Sequence, residues 1–428
     1  MLAKKRVLVF PCGSEIGLEL HRALAWSTYI DLIGGSSVSS NHGKYVYKEY
    51  IEGIPYVEDP SFIGKMNEVV ERHKIDYIFP AHDSVVLKLS ENAERISCEV
   101  IGSPLETCRI CRSKRSTYET LSKALRVPEM YRADDKRLVY PVFLKPDVGQ
   151  GSKGTHIAGS AEELSFYLRK GPDVLVLEYL PGREFTIECF TDRRRNLLFV
   201  GARERIRITN GIVMDTRAAS DSRFDKMADS INKRLKFRGA WFFQVKMDAK
   251  SEPVLLEVAP RTAGGMGLFR NLGVNLALLS VFDRMNLDVS VLLNTYGLEM
   301  DRALVNRFAS DISYDHVYLD LDDTLLFKGK VNPWLVAFLY QCFNTGKKVH
   351  LLTSHVVDPA PLLEKHRLGS LFDSVVHVGK DEEKADHIQQ RLSIFIDDSF
   401  SERARVKRRL GIPVFSADAI ESLIDWRM

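Results

Sequence analysis

Short apolar runs alternate with amphipathic stretches along the first 112 residues of the chain. Each run is short enough for one buried strand, and the first run is followed by an expected helix through Leu18, Leu20 and Leu24. Strands and helices in alternation predict a parallel sheet with helices on both faces, an α/β domain over residues 1–112. The expected strands span residues 6–10, 30–35, 75–80 and 100–102, and two further helices span residues 66–73 and 85–93.

The pattern changes between residues 113 and 295, where the apolar runs become longer and follow one another closely. Runs of this kind predict strands linked as hairpins, mostly antiparallel, with helices on one side, which is an α+β arrangement. The expected strands cover residues 139–146, 174–178, 183–191, 197–209, 240–248 and 254–259.

A third pattern begins after residues 296–315, which we expect to be a linker. Residues 316–428 return to short apolar runs separated by helical stretches, with runs at 317–319, 349–352 and 394–396. At 428 residues the chain has room for roughly three domains, and this part of it is expected to be the third. The fold class is therefore α/β plus α+β, in three domains.

Charge and composition exclude several classes of function. The 60 lysines and arginines nearly balance the 57 aspartates and glutamates, leaving a net charge of +3 and no global field for nucleic acid. No apolar stretch reaches the roughly 18 residues of a membrane span, and the first residues make a poor signal peptide. We therefore expect a cytoplasmic protein that acts on small molecules, without nucleic acid or membrane partners. The oligomeric state is left open, a homodimer included.

Two aspartates, Asp320 and Asp322, follow the first apolar run of the third domain. Asp320 is placed to attack phosphorus and form an aspartyl-phosphate, and Asp322 to protonate the leaving oxygen and then activate water. An N-capped turn would also explain one such pair, but Asp397 provides a second acidic strand end. Carboxylates from two strand ends can converge on Mg²⁺. Thr353 and Lys384 add the hydroxyl and the ammonium that a phosphoryl group needs.

In order and spacing these residues resemble the motifs of the haloacid dehalogenase superfamily, over roughly the last quarter of the chain. The resemblance implies a cap-less, Rossmann-like domain, because the segments between the motifs are short. The second carboxylate favours hydrolysis or phosphoryl transfer over dehalogenation. Lys380 is an alternative to Lys384 as the phosphate-binding lysine. The implied roles are nucleophile for Asp320, acid/base for Asp322, phosphate binding for Thr353 and Lys384, and Mg²⁺ binding for Asp397 together with Asp320 and Asp322.

A second group of candidate residues lies in the middle domain. Lys145 ends an apolar strand, and the glycine-rich turn that follows at residues 149–154 leaves backbone N–H groups free for phosphate oxygens. Downstream, Gln244 and Glu257 project oxygen atoms from two strands that we expect to pair. Glu257 would bind Mg²⁺, with Gln244 as a weaker neutral ligand, and Arg261 would hold developing negative charge.

This ordered set resembles the ATP-grasp superfamily, especially the branch related to carbamoyl phosphate synthetase and carboxylate–amine ligases. The resemblance covers residues from about 1 to 295, and it makes residues 1–112 a pre-ATP-grasp domain and 113–295 the ATP-grasp fold. It implies ATP and Mg²⁺ as cofactors, with a small carboxylate and an amine-type compound as substrates. The implied nucleotide contacts are Lys114 and Lys145 at the phosphates, Gly151, Ser152 and Gly154 in the glycine-rich loop, Glu178, Tyr179 and Leu180 along adenine, and Glu184 at the ribose. On the metal side the resemblance implies Gln244 and Glu257, with Arg261 at the transferred phosphoryl group.

One position departs from the superfamily pattern. Where Glu-x-Asn-Pro-Arg is usual, the chain has Ala259 between Glu257 and Arg261. Alanine offers no oxygen, so one metal ligand is missing, although Mg²⁺ accepts water in its place.

Three alternating arginines, Arg203, Arg205 and Arg207, are expected on one face of a strand. Guanidinium groups suit a carboxylate or an acyl phosphate, and Arg205 is the catalytic candidate among them. A solvated strand face is the alternative, and the small residues at 262–265 favour the site interpretation. His82 and Asp83, at another strand end, either line a cleft or cap the next helix.

The sequence thus predicts two enzymes in one chain: an ATP- and Mg²⁺-dependent ligase that forms an acyl phosphate, and a phosphatase that uses Asp320. One alternative makes the phosphatase the main activity, with the ATP-grasp half binding its substrate. The other is a degenerate, non-enzymatic nucleotide-binding scaffold, for which Ala259 is the strongest argument.

Overall fold

The computed structural model describes residues 3–149, 151, 153–169, 174–308 and 310–427. Ser152, one of the expected nucleotide contacts, lies outside the described residues. The chain divides into two compact units, one ending at Leu304 and the other running from Val305 to Arg427. Within the described residues, no helix is both long enough and apolar enough to cross a bilayer.

The first sheet of the amino-terminal unit is parallel, as the sequence predicts, in the order β3-β2-β1-β4-β5. Its core lies against the helices, where Phe10 and Phe62 pack with ring centroids 5.8 Å apart. The strands are β1 (Lys5–Phe10), β2 (Ile30–Gly35), β3 (Glu49–Ile51), β4 (Tyr77–Pro80) and β5 (Glu99–Val100). The helices are α1 (Glu15–Leu24), α2 (Phe62–Arg72), α3 (Asp83–Glu91), α4 (Leu105–Arg112) and α5 (Lys114–Leu121).

Two antiparallel sheets follow in the same unit. The smaller has the order β6-β9-β7-β8, and the larger has the order β14-β13-β10-β11-β12-β15. The smaller consists of β6 (Met130–Tyr131), β7 (Val142–Pro146), β8 (His156–Ala158) and β9 (Val174–Glu178), with helix α6 (Ala161–Leu168). The larger consists of β10 (Glu184–Thr191), β11 (Leu197–Thr209), β12 (Ile212–Ala219), β13 (Gly239–Met247), β14 (Pro253–Ala259) and β15 (Glu299–Asp301), with helices α7 (Ser222–Arg234), α8 (Gly267–Asn271) and α9 (Leu276–Arg284).

Alternation along the larger sheet separates a core face from a polar face. On β10, Phe185 and Ile187 are buried in the core that packs on α7. Their neighbours Glu184, Thr186 and Glu188 point to the opposite face, because successive side chains of a strand alternate. This polar face is where the candidate residues of the middle domain collect.

The boundary near residue 295 differs from the expectation. Strand β15, within the expected linker of residues 296–315, pairs with β12 and extends the larger sheet. The amino-terminal unit therefore continues to Leu304, and residues 1–112 and 113–295 belong to a single compact unit. This short edge strand contains one apolar residue, Met300, between the acidic residues Glu299 and Asp301, which is too little apolar pattern to predict a strand.

The carboxyl-terminal unit is a parallel five-stranded sheet in the order β20-β19-β16-β21-β22. Between Leu319 and Pro333 the chain makes a two-stranded antiparallel hairpin. The strands are β16 (His316–Leu319), β17 (Leu326–Phe327), β18 (Lys330–Val331), β19 (Lys348–Thr353), β20 (Ser374–His377), β21 (Ser393–Ile396) and β22 (Val414–Phe415). The helices are α10 (Pro333–Asn344), α11 (Ala360–Lys365) and α12 (Phe400–Leu410).

Candidate active sites

Two adjoining cavities open in the amino-terminal unit and share part of their lining. The hinge cavity is the one lined by Lys145, Glu178 and Glu184. The arginine cavity is the one lined by Arg203 and Arg261. Their shared wall consists of Lys114, Gly149, Gly151, Gln244 and Glu257.

The hinge cavity combines an apolar lining with charged ends. Tyr179, Leu180 and Glu184 line it as expected, together with Phe143, Ile157, Leu177 and Leu256. The Glu178 carboxylate accepts a hydrogen bond from Arg126 Nη2 at 2.6 Å, so its orientation is fixed from outside the cavity. Apolar side chains beside a strand backbone suit a planar base, with polar groups available for a ribose.

In the glycine-rich loop, the structure describes the three glycines, Gly149, Gly151 and Gly154. Gly151 and Gly154 adopt positive φ angles of 61° and 73°, which explains why glycine occupies both positions. Gly151 lines both cavities, whereas Gly154 lines neither and lies against Pro146. Gly154 thus shapes the turn rather than the cavity surface.

Two buried lysines lie at the shared wall and beside it. Lys145 Nζ donates to Leu256 O at 3.1 Å, and Lys114 Nζ donates to the carbonyl oxygens of Asp147 and Gly149 at 3.2 Å each. Burial lowers the pKa of Lys145 to about 8, although Glu257 opposes the shift, and burial also lowers the pKa of Lys114. In the described part of the chain neither ammonium is hydrogen-bonded to a carboxylate. An anion entering the hinge cavity would supply the missing charge.

Gln244 and Glu257 face each other across the pairing of β13 with β14. Directly opposite residues of paired strands have Cβ atoms roughly 5 Å apart, so the two side chains can share one cation. Ala259 pairs with Phe242 and is buried in a small apolar cluster with Ala263. The oxygen donors present fit Mg²⁺ when phosphate oxygens and water complete its shell.

Arg261 is held by Asp83, a residue 178 positions earlier in the chain. Its Nε and Nη2 each donate to the Asp83 carboxylate at 2.7 Å, and its guanidinium lies 5.1 Å from the centre of the Phe242 ring. Burial alone would raise the pKa of Asp83, but Arg261 holds it below the usual value. Asp83 therefore lines the cleft, while it also opens helix α3 as its first residue.

The three alternating arginines do not share one environment, which corrects the expectation. Arg203 is buried and pairs with Glu188, and Arg205 pairs with Glu184 at 2.8 Å. The pairing of β11 with β12 is irregular between Arg205 and Arg207, so Arg207 turns outward to Asp301. Only the first two line the arginine cavity.

In the carboxyl-terminal unit, three strand ends bring the expected residues together. Leu319 of β16 is level with Leu351 of β19 on one side and with Ile396 of β21 on the other. The carboxylates of Asp320 and Asp397 both accept hydrogen bonds from Lys384 Nζ, at 2.6 and 2.7 Å. Lys384, rather than the exposed Lys380, is thus the lysine at the strand ends.

Burial and like charge shape this cluster. Burial raises the pKa of Asp320 to about 7; Lys384 opposes the shift and Asp397 adds to it. Oxygen atoms of Asp320, Asp397 and Asp398 all lie within 4.8 Å of one another, the one such group among the described residues. Three carboxylates at that spacing suit a hard divalent cation.

Asp322 has a partner that the sequence analysis missed. His355 Nδ1 lies 2.8 Å from Asp322 Oδ2, and the backbone N–H of His355 donates to Thr353 Oγ1 at 3.1 Å. Thr353 is fully buried and so is Thr324, whose Oγ1 accepts from the Asp398 N–H at 2.9 Å. The available signal was the position of His355, two residues after a polar strand end.

Comparison with known proteins identifies the class of the amino-terminal unit. Similar solved structures include biotin carboxylase from Campylobacter jejuni, 16% identical with a TM-score of 0.57, covering 68% of this chain and 74% of that one. N5-carboxyaminoimidazole synthetase from Staphylococcus aureus, complexed with ADP, is 17% identical with a TM-score of 0.57, covering 71% and 83%. The L-amino acid ligase from Bacillus licheniformis is 16% identical with a TM-score of 0.54, covering 66% and 74%. At these identities the likeness establishes the fold, which is ATP-grasp.

More particularly, residues 170–296 match the family described as "ATP-grasp in the biosynthetic pathway with Ter operon". D-alanine–D-alanine ligase of Clostridium botulinum (strain 657 / Type Ba4) is 29% identical over 181 residues, covering 36% of this chain and 59% of the relative. That of Petrotoga mobilis is 31% identical over 107 residues, covering 23% and 36%. The chain thus spans less than two thirds of these relatives' length. ATP-grasp ligases use ATP and Mg²⁺, which agrees with the cofactors expected from the sequence.

Proposed function

We propose that the amino-terminal unit is an ATP- and Mg²⁺-dependent ligase that activates a small carboxylate for attack by an amine or similar nucleophile. The observation that carries this proposal is the wall shared by the two cavities. Lys114, Gln244 and Glu257 on that wall face the hinge cavity on one side and the arginine cavity on the other. A terminal phosphoryl group held there is exposed to an acid in the second cavity.

The geometry supports a two-step reaction. A carboxylate oxygen of the acid attacks the γ-phosphorus of ATP, the bond to the bridging oxygen breaks, and ADP leaves. The nucleophile then attacks the acyl carbon and releases inorganic phosphate. Lys114 and Lys145 balance phosphate charge, Arg261 is pre-oriented by Asp83 towards the transferred group, and Glu257 with Gln244 would hold Mg²⁺, which neutralises charge on the phosphates.

The direct test is ADP release by the intact chain with Mg²⁺, ATP and panels of carboxylic acids and amines. We expect release that depends on one acid and rises with one nucleophile. If nucleotide binds but no acid supports turnover, the non-enzymatic scaffold explains the fold better. If residues 1–304 are inactive while the intact chain hydrolyses phosphate esters, the phosphatase is the main activity.

Replacing Ala259 by Asn should strengthen the metal site without creating a new reaction. The added amide oxygen can replace one water on Mg²⁺, so the Mg²⁺ concentration for half-maximal ADP release should fall a few-fold. Because Ala259 is buried beside Phe242, the larger side chain also costs some stability, about 1–3 kcal/mol. Mg²⁺ titrations of both proteins check this. An inert native protein that becomes active as Ala259→Asn would instead support the scaffold alternative.

Nucleotide affinity should fall as the pH rises above 8. The pKa of Lys145 is about 8 in the free protein, and a bound phosphate raises it, so binding takes up a proton at alkaline pH. Below pH 8 the ammonium is already charged and affinity should be flat. Above it, affinity should decline by up to about tenfold per pH unit, until the pKa of the bound state is reached. Calorimetric titration with ADP and Mg²⁺ from pH 7 to about 9.5 measures this, and Lys145→Met should bind weakly with a shallower slope, because Lys114 remains.

For the carboxyl-terminal unit we propose a Mg²⁺-dependent phosphatase of the haloacid dehalogenase type, which extends over residues 316–428. The contact of Lys384 with both Asp320 and Asp397 favours this second function, because it places a cation between a nucleophile and a metal-binding carboxylate. Asp322, oriented by His355, would serve as the acid and then the base. Because the segment between Asp322 and Pro333 has no room for a large cap, small generic esters should be poor substrates, since water is not excluded.

A further inference from the structure

Arg203 is an unusual member of the arginine cavity because it is almost fully buried yet incompletely paired. The residue is 1% exposed, and its Nε donates to Glu188 Oε1 at 2.8 Å. Its Nη1 has no hydrogen-bond partner among the described residues. A buried donor without a partner is unfavourable, so an acceptor supplied from the cavity would satisfy it.

Gly265, which also lines the arginine cavity, packs closely on this guanidinium. A Cβ atom on Gly265 would lie 2.5 Å from Cζ and Nη2 of Arg203, so a larger residue there would displace the guanidinium from its present position. By contrast Arg205 is already held by Glu184 and by Gly211 O, and Arg261 by Asp83. Arg205 Nε makes no hydrogen bond either, but it is ion-paired with Glu184 Oε1 at 2.8 Å, whereas Arg203 Nη1 has no hydrogen-bond partner among the described residues.

The sheet register separates this donor from the metal-side residues. Thr186 of β10 pairs with Gln244 on one side and with Arg203 on the other. The Arg203 guanidinium is hydrogen-bonded to Glu188, which lies two residues beyond Thr186 on β10. Neighbouring strands lie about 4.8 Å apart, and a strand rises about 3.4 Å per residue. Glu188 is one strand across from Gln244 and two residues along, so the backbone positions of Gln244 and Glu188 are roughly 8 Å apart. One carboxylate cannot occupy both places.

We infer that the acid activated by the proposed ligase carries a second anionic group, a carboxylate or a phosphate, and that Arg203 binds it. This inference rests on the proposed ligase function. The reacting carboxylate lies at the shared wall beside Arg261, and a spacer of a few carbon atoms leads to the second group at Arg203. Glu188 fixes the guanidinium plane, and planar guanidinium binds oxyanions with two parallel donors. Arg203 is thus a specificity-determining residue.

The test compares matched acids that differ in the second charge. The full chain is saturated with ADP and Mg²⁺ and titrated calorimetrically with succinate and succinamate, L-glutamate and L-glutamine, and O-phospho-L-serine and L-serine. We expect the wild type to bind the more anionic member of at least one pair ten times more tightly or better. A preference in the first two pairs identifies a carboxylate, and one in the third identifies a phosphate.

Arg203→Lys keeps a charge beside Glu188 but removes the second donor arm, so the preference should fall below threefold with unchanged ADP affinity. Arg207→Lys is the matched control on the same strand, since Arg207 is exposed and pairs with Asp301, and it should keep the full preference. The double variant Arg203→Met/Glu188→Leu removes the buried pair together and should also lose the preference while it still binds ADP. That result excludes misfolding as the cause.

Three outcomes would overturn the inference: no preference in the wild type, a preference that survives Arg203→Lys, or a loss that Arg207→Lys shares. If ADP binds the wild type but no pair is discriminated, the inference alone fails. If ADP does not bind at all, the ligase proposal fails and the inference with it.

Discussion

Replacing Asp320 by Asn is expected to abolish phosphate release from phosphate monoesters, by about 10³-fold or more. The amide cannot attack phosphorus, so the aspartyl-phosphate does not form. Neither the fold nor the metal site should collapse, because Asp397 still accepts from Lys384 and Asp398 stays close by. The measurement is phosphate release by the intact chain from a panel of phosphorylated metabolites, with Mg²⁺ and without nucleotide.

Two further variants make this result specific. Asp323→Asn changes the same chemical group at an exposed neighbour whose φ angle of 52° asparagine tolerates, so it should stay close to the wild type. Asp322→Asn should keep substrate and metal binding but slow turnover, typically by about 10²–10⁴-fold, because both proton transfers are impaired. Turnover that survives Asp320→Asn would refute the covalent mechanism. A wild type inactive on every phosphate ester would leave the unit without the proposed function.

Replacing Glu257 by Gln is expected to lower the rate of ADP formation by about 10²–10³-fold. Among Gln244, Glu257 and Ala259, Glu257 alone carries a carboxylate, since Gln244 is an amide and Ala259 has no side-chain oxygen. The substitution is nearly isosteric, so the pairing of β13 with β14 should persist. Steady-state ADP release with a working acid measures the loss, and raising the Mg²⁺ concentration should restore part of it.

The matched control is Glu252→Gln, in the turn just before β14. The Glu252 side chain is largely exposed and its partner is Arg223, so it should leave ADP formation unchanged. Equal loss in both variants would indicate a general effect on the sheet. An unchanged rate in Glu257→Gln would remove Glu257 from the metal side and with it the main support for phosphoryl transfer.

The sequence was informative where local periodicity determines structure. Longer, closely spaced apolar runs predicted the long strands of the middle domain, and short apolar runs alternating with helical stretches predicted the parallel strands of the first domain. Polar residues directly after such runs, such as Lys145, Asp320 and Asp397, were correctly expected to lie at strand ends. The ATP-grasp fold could be predicted because its residues occur in a fixed order along the chain.

Boundaries were harder to predict. Strand β7 begins at Val142 rather than at residue 139, and β15 forms within residues expected to be a linker. In both places, few apolar residues are available to indicate where a strand begins or ends. Edge strands such as β15 depend on a neighbour already being in place, so their own sequence contains little information.

What the sequence by itself determined is which residues share a face and which follow a strand, because these properties depend on neighbours two to four positions away. Only the tertiary structure determined which side chains form ion pairs and hydrogen bonds with one another. It joined Arg261 to Asp83 and His355 to Asp322, and it separated Arg203 from Arg207 on one strand. The physical reason is that ion pairs and hydrogen bonds are chosen by distance in space. A single irregularity in strand pairing, or the approach of a distant loop, changes that distance without changing the local pattern.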